Sequence, residues 1–158
     1  MSSRAPFSPL RTILFGGLAV GVTDILWAMG MNAMNGKGPV WVLQSVAGGL
    51  LGVATFQGGA NTALLGMVLH FTIATCWMTA YFLVSRKVKV LAYKPWIYGP
   101  LYGILAYVVM YQVVLPLSAY NSDGIRFGWN LAKGLFIHIF GVGLLIALIT
   151  RRGTAQPS

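Results

Sequence analysis

Glutamate does not occur in this sequence, and aspartate occurs only at Asp24 and Asp123. With so few carboxylates there is no interior pair for acid–base work. Cysteine occurs once, at Cys76, so an internal disulfide is excluded, and no CxxC or Cys/His zinc spacing exists. Nucleotide fingerprints are missing as well: "GGLAVG" at 16–21 has the wrong spacing and follows no strand. No serine or cysteine has a histidine placed beside it by a local motif. Charge of either sign is scarce. Charged residues make up 8% of the chain, against about 25% in soluble proteins.

What fills the chain instead is apolar. Of its 158 residues, 57% are hydrophobic. Runs of about 20 apolar residues recur, the length that crosses a hydrocarbon core of about 30 Å. The composition reads as an all-α integral membrane protein, and the length suits one domain.

The net charge of +9 raises the question of nucleic acid. The positions of the basic residues answer it. Arg4 and Arg11, then Arg86, Lys87, Lys89 and Lys94, then Arg151 and Arg152 fall between apolar runs. That is how basic loops fix membrane orientation. No basic surface interleaved with aromatics is left for DNA or RNA.

Four spans are expected, at about 10–33, 60–84, 95–117 and 129–150. Polar tails at 1–9 and 151–158 flank this single transmembrane domain. Ser8-Pro9 suits a helix start, because serine caps and proline fits the first turn. The apolar run at 12–31, of 20 residues, exceeds a signal-peptide core of about 7–15 and reads as a retained helix. Pro100 removes one backbone bond early in the third span.

Segment 40–56, "VWVLQSVAGGLLGVATF", is rich in glycine and has 17 residues. As a helix it would reach about 26 Å, barely a crossing. It reads as a short span, a re-entrant hairpin or an interfacial helix. Charge favours a segment that does not cross. Four crossings put 8 of the 11 basic residues on one side, whereas five give 7 against 4. Positive charge marks the cytoplasmic side, so both termini are placed there. The expected fold is an antiparallel four-helix bundle with a re-entrant or interfacial piece. Gly17 with Gly21, Gly48 with Gly52 and Gly99 with Gly103 are spaced for close helix contact.

Asp24 lies inside the first span, on the helical face that carries Gly17, Gly21, Ala28 and Met31. A lone carboxylate near the bilayer centre costs about 2.5–3.5 kcal/mol on insertion scales. It must find a partner or take up a proton. Counting from the outer span ends places Asp24 about 13 Å deep, His70 about 15 Å and His138 about 13 Å. These are the only histidines, and both lie on faces of small residues. Tyr107 reaches a similar depth.

Three readings of this layer follow. In the first it is a structural polar layer, with Asp24 accepting a hydrogen bond from an imidazole. In the second Asp24, His70, His138 and Tyr107 form a protonatable binding site in a small transporter or proton-linked binder. In the third His70 and His138 hold a b-type haem; otherwise no cofactor and no metal is expected. Below the layer the spans are apolar, which favours a one-sided pocket over a continuous path. Cys76 reads as a small buried hydrophobe. Gln44, Gln57 and Asn61 read as groups near the outer surface.

The segments "VLQSVAGGLLG" (42–52), "LLGMVLHFTIAT" (64–75), "VVLPLSAY" (113–120) and "HIFGVGLLIALITRR" (138–152) carry a likeness. With them the chain, from about residue 10 to 152, resembles small bacterial inner-membrane proteins known only as domains of unknown function. The resemblance implies a bacterial inner membrane and four helices, and no activity. Small-residue helix faces and short loops make the function expected first non-enzymatic: a small accessory or structural membrane subunit, packing as a homo-oligomer or in a larger complex.

Overall fold

The structure, a computed structural model, describes residues 8–121, 124–125 and 127–154. The outer parts of both polar tails, together with Arg4, Ser122, Asp123 and Arg126, lie outside the described residues. Among the described residues every regular element is helical.

Helix α1 spans Pro9–Ala33. It opens as the sequence suggests: the Ser8 side chain accepts from the Arg11 N–H at 3.4 Å, and Pro9 occupies the first turn. Helix α2 spans Pro39–Leu51 and is followed by a tighter 3₁₀ stretch, Gly52–Gln57. Helix α3 spans Gly59–Lys87, running past the expected end at 84. Its last turn carries Arg86 and Lys87, which complement the negative helix terminus. After a single turn at Val90–Tyr93 come α4, Pro95–Leu117, and α5, Trp129–Thr154. Helix α5 runs past the expected end at 150, and Arg151 and Arg152 sit in its last turn.

Among the described residues five helical segments are long and apolar enough to cross a membrane: α1, Pro39–Gln57, α3, α4 and α5. The sequence leads one to expect four, so length and composition alone do not give that number. The faces turned outward agree with lipid as the solvent. Leu10, Leu14, Leu18 and Leu26 follow one another at multiples of four along α1, and each is more than half exposed. The chain is a multi-pass membrane protein.

The segment at 39–57 is not one straight rod. Gly52 adopts φ 63° and ψ −153°, a conformation open essentially to glycine alone. The chain reverses there. The Thr55 hydroxyl donates to the Gln44 carbonyl at 3.0 Å, and the Trp41 and Phe56 rings stack at 5.3 Å. In a continuous helix those two rings would stand about 22 Å apart along the axis. Gln44 is buried instead of surface-facing, and its amide donates to the Gly59 carbonyl at 3.1 Å. That bond ties the hairpin to the start of α3.

Glycines set how closely the long helices meet. Gly17 lies against Thr75 and Gly21 against Phe71, joining α1 to α3. Gly103 meets the His138 carbonyl, and Gly143 meets the backbone of Gly99 and Gly103, joining α4 to α5. Two of the three expected glycine pairs thus form helix contacts, as small residues do in membranes. In the third, Gly48 receives the Tyr120 ring and Gly52 lies near Ala119. The core beneath, with Met78, Phe82 and Ile146, is buried. Cys76 is exposed on α3, so it is not the buried hydrophobe its apolar run suggests.

Two helices widen locally into π turns, at Met110–Val114 in α4 and Ile137–Leu144 in α5. In α4 the Leu115 N–H bonds back to the Met110 carbonyl, five residues earlier. Pro116 contributes here, because it has no N–H to offer the Gln112 carbonyl. Such widened turns are rare and concentrate at functional sites.

Candidate functional site

A cavity of about 400 Å³ lies between the hairpin and all four long helices. Asp24 enters from α1, His70 and Trp77 from α3, Tyr111 from α4 and His138 from α5. Ser45 belongs to the hairpin wall, and most of the remaining lining is aliphatic. Three residues that the sequence places at one depth therefore meet at one space. The volume falls in the range of small-molecule sites, about 300–1,000 Å³.

Both imidazoles are oriented by backbone carbonyls. His70 Nε2 lies 2.8 Å from the Gly21 carbonyl on α1. His138 Nδ1 lies 2.9 Å from the Gly134 carbonyl, one turn earlier in its own helix. A carbonyl only accepts, so the facing nitrogen must carry the proton. In the neutral rings this leaves Nδ1 of His70 and Nε2 of His138 as acceptors.

Neither ring donates to Asp24, so the hydrogen bond expected of a structural polar layer is not made. Among the described residues no group donates a hydrogen bond to this carboxylate. Asp24 is half-buried, and among the described residues no lysine or arginine lines the cavity.

Tyr107 sits one layer back. It is 3% exposed, its ring meets His138 edge-on at 5.2 Å, and it stacks on Tyr111 at 4.4 Å. Tyr107 thus positions the two groups that face the cavity. Tyr111 is the residue that sequence reasoning missed, although it lies one helical turn beyond Tyr107 on a related face. Its neighbours Ser45 and Ser118 were missed as well, because the hairpin that delivers Ser45 is invisible to span counting.

For haem the geometry is unhelpful at one ligand. His70 spends Nε2 on the Gly21 carbonyl and would have to release that bond, or turn, to present Nε2 to iron. Among the described residues no cluster of three or more His, Cys, Asp or Glu gathers to hold a metal ion. Thr72, Thr75 and Thr79 each donate to a carbonyl four residues back in α3, the self-satisfied state common in apolar helices.

The arrangement is a mostly apolar chamber within a multi-pass membrane protein, with an unpartnered carboxylate and two oriented imidazoles on its wall. Compared with known proteins, the chain matches no family model, no curated protein and no solved structure.

Proposed function

We propose that this chain binds a small amphipathic molecule in its membrane cavity, as a small transporter or proton-linked binding protein does. The carrying observation is Asp24. A subunit that only packs has no need of a carboxylate in mid-helix on a cavity wall, where insertion costs about 2.5–3.5 kcal/mol. Here both imidazoles bond backbone carbonyls and the carboxylate keeps its valences open. The π turns carrying Tyr111 and His138 support the same reading.

The test is thiol labelling in a Cys76→Ala background. A cysteine at Ser45 or Ser118 should react with a small water-soluble thiol reagent. One at Ala147, which is 0% exposed, should not. Equal silence at all three positions would refute an accessible binding chamber.

On topology, we infer four crossings, with the segment 39–57 folding back inside the bilayer and both termini cytoplasmic in a bacterial inner membrane. The Gly52 reversal and the Trp41–Phe56 stack support this, as does the 8-of-11 basic excess on one side. The likeness of "VLQSVAGGLLG" and its companion segments to small bacterial inner-membrane proteins points the same way. Reporter fusions at the two ends and at residue 37 check it: both ends should report cytoplasm and residue 37 the opposite face.

A further inference from the structure

The polar wall of the cavity has a one-sided hydrogen-bond inventory. The Ser45 hydroxyl donates to the Val42 carbonyl at 2.6 Å. The Ser118 hydroxyl donates to the Leu115 carbonyl at 2.7 Å. The His70 N–H goes to Gly21 and the His138 N–H to Gly134. Each of these side chains has spent its donor on backbone and keeps only acceptor capacity, part of which the Ser118 oxygen uses on the Tyr120 N–H at 3.2 Å. Asp24, when ionised, is acceptor-only by nature. Among the described lining residues, the side chains left with an uncommitted donor are the Tyr111 hydroxyl and the Trp77 indole.

Such a wall rejects anions and fits poorly with ligands that only accept, because lone pair would face lone pair. It calls for a guest rich in N–H. It also calls for positive charge, since among the described residues no lysine or arginine lines the cavity beside Asp24 and a carboxylate left alone in apolar surroundings is costly. The aliphatic majority of the lining calls for an apolar body. An alkylammonium meets all three demands: three N–H donors, no acceptor and one positive charge. The rings of Tyr111 and Trp77 add faces that attract a cation.

Resting on the reading of the cavity as a binding site, we propose that its ligand is a protonated amine carrying an apolar body. Its ammonium pairs with Asp24, and its N–H groups reach the free imidazole nitrogens of His70 and His138.

The experiment compares four probes of one chain length: octylammonium, octyltrimethylammonium, octanol and octanoate. Binding is measured by calorimetry on the full chain in nanodiscs, against empty nanodiscs. Octylammonium should bind about tenfold or more tighter than the other three, as charge-assisted hydrogen bonds predict. Asp24→Asn should erase that preference. Equal binding of octyltrimethylammonium would overturn the donor requirement. Equal or tighter binding of octanol, or any preference for octanoate, would overturn the amine assignment while leaving a binding cavity in place. No binding of any probe above empty nanodiscs would overturn both. Should Asp24→Asn fail to fold, the ranking of the four probes on the wild-type chain decides the matter alone.

Discussion

Replacing Asp24 by leucine separates a carboxylate kept for binding from one kept for structure, because the two roles predict opposite signs. The carboxylate lies in the middle of α1, half-buried, with no hydrogen-bond donor among the described residues. On insertion scales an aspartate at a helix centre costs about 2.5–3.5 kcal/mol, whereas leucine gains about 0.3–0.6 kcal/mol. Full replacement in lipid would therefore stabilise by about 3–4 kcal/mol. The cavity gives Asp24 some access to water, so a gain of about 1–3 kcal/mol is expected. For a chain of this size each kcal/mol shifts Tm by about 2–4 °C. Thermal unfolding in detergent, followed by loss of the monodisperse peak after heating, should thus move up by about 2–12 °C. Ligand binding should vanish in the same variant. A structural aspartate, bonded to an imidazole, would leave that imidazole stranded when removed, and Tm would fall. A fall of a few degrees would refute the account of Asp24 as an open valence. A gain bought with lost function is the usual trade at a binding site.

Three further outcomes follow from the same geometry. Gly103→Ala places a methyl group against the His138 carbonyl and the Ile139 backbone; overpacking of this kind costs about 1–3 kcal/mol, so the variant should melt lower and bind probes more weakly. Gly52→Ala forces a side chain into the φ 63° turn at a cost of about 1–3 kcal/mol, and amide exchange should rise across 52–59 while the middle of α3 stays protected. Protein purified from haem-replete cells should show no Soret band, because His70 holds its Nε2 on the Gly21 carbonyl; a Soret band lost in His70→Ala would show that this bond yields to iron.

Much of this was legible in the sequence for a plain reason: helices in lipid obey a simple count. A fixed rise per residue placed Asp24, His70 and His138 at one depth, and the spacing of Gly17 with Gly21 and Gly99 with Gly103 marked the contact faces. The chamber itself was not legible, because it depends on departures from regular helix. Segment 40–56 has one hydrophobicity whether it crosses or turns back, and only the conformation of Gly52 decides. The π turns at 110–114 and 137–144 shift later residues off the regular wheel, and span counting carries no sign of either; Tyr111, one turn beyond Tyr107, was within reach of the same helical spacing. The expected Asp–imidazole bond failed for a related cause. A helix carbonyl sits 2.8–2.9 Å from one nitrogen of each ring and takes the only proton a neutral imidazole has.

The meeting of Asp24, His70 and His138 at one space can be tested by pairwise bridging. Cysteines are placed two at a time at these positions in the Cys76→Ala chain and treated with dibromobimane, which fluoresces strongly only when both of its ends have reacted. All three pairs should light up, and pairs with Leu18 on the lipid face of α1 should stay dark. Dark pairs among the three, with each single cysteine still alkylated, would mean that these side chains do not share a cavity.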